Sequence, residues 1–449
     1  MSACLPFPPA CHQLCANLTL PSPSLHRRTE SLHTHTLFFL AQVTGHLGDA
    51  HASALYCQRT LQRQLEPGYE GLDVVDWVNN CVTLAGFHGS AGRFRDAAHC
   101  FAACAALVER SGATADADAE MAEKLAAARA GAERKRGSLY AQVLMIARER
   151  QMMGVPREPE SDEGPAEEEF PAFCHLPGLA SIDGAPLDPE RIDYERACAA
   201  FKAGNGALQR ALDHFVLDGF ASDHVEILQE RSAMYRSVAA FERDEKKQLA
   251  MHQRRVTLLE PILGELNERV FHATCCQLSF ELGECFSDML ELKMARIEAK
   301  SQRNKQYTPS ATETRKCNAF ADKGVQSFAR FVRLLNQLLE PEPNGKGANP
   351  PAPGAWAGDH AESLGPYLRA HFHMARLLGR HLTPDPRAAV PGMTRSLDTY
   401  RFLVGYVPEV RSAISQPELF KEELHICEQM AELLPEKINQ MHYNGRTMG

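Results

Sequence analysis

Two stretches of this chain repeat one another at an interval of 44 positions, and that repeat constrains the fold more than any other feature. Leu40-Ala41-Gln42-Val43-Thr44 runs through Gly48 toward Leu61, and Leu84-Ala85-Gly86-Phe87-His88 runs through Gly92 toward Ala105. In each, an apolar–small pair is followed by glycine eight residues after its first member. A small residue (Ser53 or Ala97) comes next, then Cys57 or Phe101, then Thr60 or Cys104. Steps of three and four hold such residues on one helix face. Small residues let antiparallel helices approach closely, the glycine ends the first helix in a left-handed cap, and large apolar residues fill the seam. A single hairpin of this kind cannot bury its apolar face, so the pattern predicts a stack.

This is the tetratricopeptide spacing, L-G-x-x-Y…G…A-x-x-x-F-x-x-A. The usual unit has about 34 residues, so roughly ten extra lie between the two copies. They fall in Glu66-Pro67-Gly68-Tyr69-Glu70-Gly71, before Trp77. Leu282-Gly283, Phe286, Ala295 and Ala299 give a third match. Helical periodicity also covers 111–150, 194–215, 223–259 (with Pro261 starting or kinking the next element), 269–300, 311–339, 361–381, 393–406 and 417–440. Alternating β-branched runs are nearly absent, so the expected fold is all-α, a tetratricopeptide-like right-handed solenoid of antiparallel helix hairpins. Residues 1–36, rich in Pro, Ser, His and Thr, are expected not to fold. Helical repeats then span 37–150, an acidic Pro-rich linker 151–190, a second helical half 191–440, and a tail 441–449. Pro156, Pro159, Pro165, Pro171, Pro177 and Pro186 break the linker, and its acids cluster at 162–169, so a mobile acidic loop is expected over 156–169. A second Pro/Gly loop is expected at 341–358.

Several function classes lack support. A net charge of -9, from 57 acidic against 48 basic residues, is the wrong sign for a general nucleic-acid binder. No apolar run reaches the roughly 18–20 residues of a membrane span, and the first 21 residues lack a charged n-region and are broken by Pro6, Pro8 and Pro9. The 14 cysteines sit mostly among apolar helical residues and never as CxxC, which predicts free buried thiols. His371 and His373, two apart on a helix, point away from each other and make a poor metal pair; His33 and His35 fall in the segment expected not to fold. Gly345-Lys346-Gly347 lacks the Ser/Thr and the strand of a phosphate loop. No catalytic residue, metal, cofactor or small-molecule substrate is therefore expected. The run Glu242-Arg243-Asp244-Glu245-Lys246-Lys247 reads as a solvated helix face.

The stretch FVLDGFASDHVEILQERSAMYRSVAAFERDEKKQLAMHQRRVTLLEPI (215–262), with LAQVTGHLGDAHASALYCQRTLQRQLE (40–66) and WVNNCVTLAGF (77–87), resembles the kinesin-binding protein family. The D-G-x-x-x-D-H-V-E core, Asp218, Gly219, Asp223, His224, Val225 and Glu226, carries most of the specificity. The resemblance covers about 37–107 and 190–440; the family's first several helices have no counterpart. It implies a curved solenoid without catalytic activity, cytoplasmic and cytoskeleton-associated. Such a protein would bind kinesin motor domains and hold them off microtubules. Binding is expected on the first helix of each hairpin, at positions turned away from the seam. These are Phe38, Phe39, Gln42 and His46, then Asn79, Val82, Thr83 and Gly86, with Gln64 beside them. In the Asp218–Glu226 core, Gly219 should end one helix. Ser222 or Asp223 should cap the next, with Glu226 at the third helical position. A peptide-binding adaptor unrelated to kinesin is the alternative. The carboxylate-clamp form of it needs Lys and Asn where this chain has Phe38, Gln42 and Thr83.

Overall fold

A computed structural model describes residues 23–66, 69, 71–112, 119–156, 173, 176, 179, 185–339, 350–383, 385–414 and 416–444. The expectations for residues 1–22, for most of the acidic loop, for 340–349 and for 445–449 lie outside them. Thirteen α-helices and two short 3-10 turns make up the described fold, with no strand among the described residues. The helices are α1 Pro23–His46, α2 Ala50–Gln64, α3 Val74–Ser90, α4 Phe94–Gly112, α5 Ala119–Met152, α6 Tyr194–Leu212 and α7 Ala221–Ala239. There follow α8 Glu245–Glu265, α9 His272–Arg303, α10 Ala311–Leu339, α11 Ala361–Leu378, α12 Pro386–Ile414 and α13 Lys421–Asn444. From α1 to α4 and from α7 to α13, each helix packs on its neighbours in the chain, as in a helical solenoid.

The chain divides into two compact units. One comprises Met1–Ala147 and Pro156–Gly219; the other comprises Arg148–Val155 and Phe220–Gly449.

In the first unit the repeat glycines behave as their spacing predicts. Gly48 and Gly92 have φ of 81° and 76°. After each, the backbone N–H of Asp49 or Arg93 reaches back to Thr44 O or His88 O, at 3.0 and 2.8 Å, closing the same C-terminal motif twice. Asp49 caps α2 by accepting from Ala52 N at 3.0 Å. The small residue is used as a spacer. Ser53 Oγ donates to Ala41 O at 2.7 Å, and Ala97 is fully buried. Trp77 ties the hairpins together, its Nε1 donating to Leu61 O at 3.0 Å.

The same close-approach logic recurs in the second unit. A Cβ on Gly283 would stand 2.7 Å from the ring of Phe328, so α9 and α10 meet at a distance only glycine permits. The end of the Pro/Gly loop is pinned: Trp356 Nε1 donates to Tyr406 Oη, which donates to Pro351 O, both at 2.7 Å.

Several boundaries differ from expectation; the helix expected over 393–406, for one, runs from Pro386 to Ile414. The first helix starts at Pro23, inside the segment expected not to fold; buried Thr34 and Leu37, three apart, give it an inward face. The helix expected over 223–259 is two helices, broken at 240–244. The charge run is no continuous helix face. Glu242 Oε1 accepts from Arg243 N and Asp244 N at 2.8 and 2.9 Å, and Asp244 caps α8 by accepting from Lys246 N at 2.8 Å. These acids satisfy the backbone donors that a helix start leaves open. Finally, α7 begins at Ala221 with Phe220 as its cap residue and no side-chain cap bond. Ser222 and Asp223 are already inside the first turn, where the acid of Asp223 offsets the helix dipole.

Candidate functional site

The hairpin register decides which side chains of α1 and α3 remain available. On α3, Trp77, Val78, Cys81, Leu84, Ala85 and His88 face the core. Asn79 and Thr83, one turn apart, are left exposed, with Thr83 Oγ1 donating to Asn79 O at 2.9 Å. Val82 is half-buried and Gly86 exposed. On α1, Phe39, Gln42 and His46 follow steps of three and four on one exposed face. Phe39 is 58 % accessible and meets the ring of Phe38 edge-on at 5.8 Å. Leu32 and Val43 on α1 and Leu47 just after it are also exposed, so an apolar stripe runs along α1 that nothing among the described residues covers. Gln64 stands apart: it is half-buried at the end of α2, with its Oε1 turned inward and without a hydrogen bond.

The layer beneath is neutral. His88 is buried, its Nε2 lying 3.3 Å from Gln58 Oε1; burial, with Arg93 nearby, lowers its pKa to about 4. Cys81 donates to Cys100 O and Cys104 to Val78 O, at 3.5 and 3.8 Å. Burial pushes the Cys81 thiol well up and Cys57 to about 11, which leaves them packing groups rather than nucleophiles.

An open groove of about 1350 Å³ in the same unit, lined by α3, α4, α5 and α6, escaped the sequence reading. Ala122, Ala126 and Ala130, one per turn of α5, keep its wall low. Glu133 stands at its edge, paired with Arg210 at 2.8 Å and Arg136 at 4.0 Å. The alanine period was the available signal, yet it reads equally well as plain helix propensity.

The second unit contains a polar network. Glu281, Glu284, Asp288 and Glu291 lie three or four apart along α9. Arg255 of α8, 1 % accessible, reaches Glu281 at 3.4 Å and Asp288 at 3.5 Å, and its Nε donates to Ser232 Oγ at 3.1 Å. Ser232 in turn donates to Glu281. Arg236 grips Glu284 with two bonds of 3.0 and 3.1 Å. Burial raises Asp288 to about 6 against the pull of Arg255 and Arg236. Burial, then the same two guanidiniums, lowers His252 to about 3, so its neutral Nδ1 accepts from Arg255 at 3.2 Å. His371 and His373 face different partners, His371 against Tyr367 and Phe402 and His373 stacked on Phe328 at 5.2 Å.

The Asp218–Glu226 core forms the turn from α6 to α7. Gly219 has φ of 107°, Asp218 and Glu226 are exposed, and Asp223 and His224 are half-buried. Among the described residues no group of three or more His, Cys, Asp or Glu is placed to hold a metal ion, and no helix is long and apolar enough to cross a membrane.

A protein-family model described as "KIF-1 binding protein C terminal" matches residues 75–441. The KIF-binding protein of Gallus gallus is 30 % identical over 460 residues, covering 97 % of this chain and 73 % of the relative. That of Danio rerio is 29 % identical over 92 % of this chain and 66 % of its own length. The KIF-binding protein of Drosophila melanogaster is 26 % identical over 92 % of this chain and 67 % of its own.

Proposed function

The chain belongs to the KIF-binding protein family, and we propose that it binds kinesin motor domains and keeps them from attaching to microtubules. The observation that carries this reading is the family match, which spans residues 75–441. Binding alone accomplishes the inhibition, with no catalytic step: a protein seated on the face a motor uses for tubulin excludes the filament by competition. The net charge of -9 supports it, because a motor's tubulin-facing surface must itself be basic to hold acidic tubulin. The contact surface is the strip of Phe39, Gln42 and His46 on α1 and Asn79 and Thr83 on α3, with the inward-turned Gln64 contributing only if it swings out. Phe39 supplies the large apolar anchor that interfaces concentrate their energy on. The uncharged polar groups read the partner by hydrogen bonds. Action would be cytoplasmic, at the cytoskeleton.

The test is microtubule co-sedimentation of a panel of kinesin motor domains with the purified chain. One or more motors should move from pellet to supernatant, and Phe39→Glu should return them to the pellet. A folded, helical protein that moves no motor overturns the reading.

A further inference from the structure

A groove of about 460 Å³ opens in the second unit, with α12 at its base and α11 and α13 as walls. Two contacts set its width. Ser396 of α12 donates to Ala375 O of α11 at 2.7 Å, where a Cβ on Gly379 would stand 3.2 Å from the hydroxyl. On the other side Phe420, just before α13, has φ of 59°, and its ring meets Phe372 of α11 edge-on at 6.0 Å. A bulky residue stays in the left-handed region only where its surroundings hold it there. The walls are therefore set before any ligand arrives.

The lining is chemically one-sided. Ile426, Met430 and Leu434 form an apolar wall at four-residue steps along α13, and Ile426 is 43 % accessible. Arg376 and Arg380 stand on the facing wall, and exposed Lys437 ends the apolar row. Among the described residues no Asp or Glu lines the groove. Glu291 of α9 is shared by both guanidiniums, at 2.6 and 3.5 Å, which leaves one positive charge over. Among the described residues Lys437 forms no ion pair. This concentration of cations occurs in a chain whose net charge is -9. From Ile426 to Lys437 the wall runs about 16 Å at 1.5 Å per residue. That is the length of a short peptide segment and more than a compact small ligand spans.

The geometry points to a second docking site, for an acidic peptide. One large apolar side chain sits on Ile426, Met430 and Leu434, and flanking carboxylates reach Arg380 and Lys437. The site shares no residue with the strip on α1 and α3 and does not rest on the kinesin reading. Apolar anchoring with charged flanks is a recurrent mode of peptide capture.

The test is calorimetric titration of the full chain with a short glutamate-rich peptide bearing one leucine and one phenylalanine. Binding is expected, and it should weaken as salt rises. Lys437→Glu and Ile426→Glu, both at accessible positions that leave the fold intact, should each weaken it by about tenfold or more. The same peptide with lysines for glutamates should not bind. Equal binding of both peptides, wild-type affinity in both variants, or capture of dodecanoate with no peptide binding would each overturn the proposal.

Discussion

In the first two hairpins the seams are filled by apolar side chains, thiols and a neutral histidine. Between α7, α8 and α9 they are crossed by a buried guanidinium, a second guanidinium and three carboxylates. Both arrangements hold helices at close range, but they fail differently. A neutral seam loses the area and the cavity of whatever is removed, and it tolerates a swap of similar volume. An ionic seam loses more when one partner goes, because the charges left behind remain buried and unpaired. Robustness to single changes should therefore differ between the units.

The sharpest way to break this contrast is Arg255→Ala. It takes away the guanidinium that Glu281 and Asp288 share and should cost about 3 kcal/mol in the second unit. Hydrogen exchange followed by mass spectrometry should show α7–α9 opening while α3 and α4 stay protected. If protection falls equally in both units, the contrast is wrong. Replacing Arg255, Glu281 and Asp288 together by apolar residues of similar volume should cost much less than the single change.

Gly283→Ala comes next. A methyl group 2.7 Å from the Phe328 ring forces α9 and α10 apart, at about 1–3 kcal/mol, read as a lower denaturant midpoint for the second unit.

Acid should separate the units more gently. The pKa of His252 falls to about 3 on folding, so its contribution to stability is present above its ordinary value near 6.5. That contribution is lost as pH drops through 3. Asp288, raised to about 6, has the opposite sign. Its contribution is full below its ordinary value near 3.8 and is lost as pH rises through 6, so it offsets part of the histidine effect between those limits. The histidine shift is the larger of the two. His371, lowered to about 4 by burial, adds to it in the second unit, whereas the first unit has His88, also lowered to about 4. Between pH 6.5 and 4 the second unit should lose more stability than the first. His252→Asn should close or reverse the gap in an exchange profile taken at several pH values.

The smallest effect belongs to the caps. Gly92→Ala places a Cβ at a φ of 76° and should cost about 1 kcal/mol, confined to α3 and α4.

Much of this was legible because helices announce themselves by period and glycine by position. Gly48 and Gly92 were readable as left-handed caps since only glycine occupies that backbone freely. The break at 240–244 was not readable. Glu242 and Asp244 serve equally as helix-face charges and as acceptors for a new helix start, and the choice depends on tertiary packing. The exposure of Phe39, Gln42, Asn79 and Thr83 followed from hairpin register alone. The groove along α5 and the one beside α13 did not, because an unfilled space is a property of several helices at once. The carboxylates at 281, 284, 288 and 291 went unremarked in the sequence: their three- and four-residue steps look like any solvated helix face, and their guanidinium partners come from α7, α8 and α11.

The chain has two tryptophans, and they are divided evenly: Trp77 lies in the first unit and Trp356 in the second. Each is almost wholly shielded from water, and each indole N–H has a partner of its own, Leu61 O for one and Tyr406 Oη for the other. The protein thus carries a built-in optical label in each half. Changing either tryptophan to phenylalanine leaves a molecule whose ultraviolet emission reports on one half alone. A red shift on melting then dates the opening of that half without any attached dye.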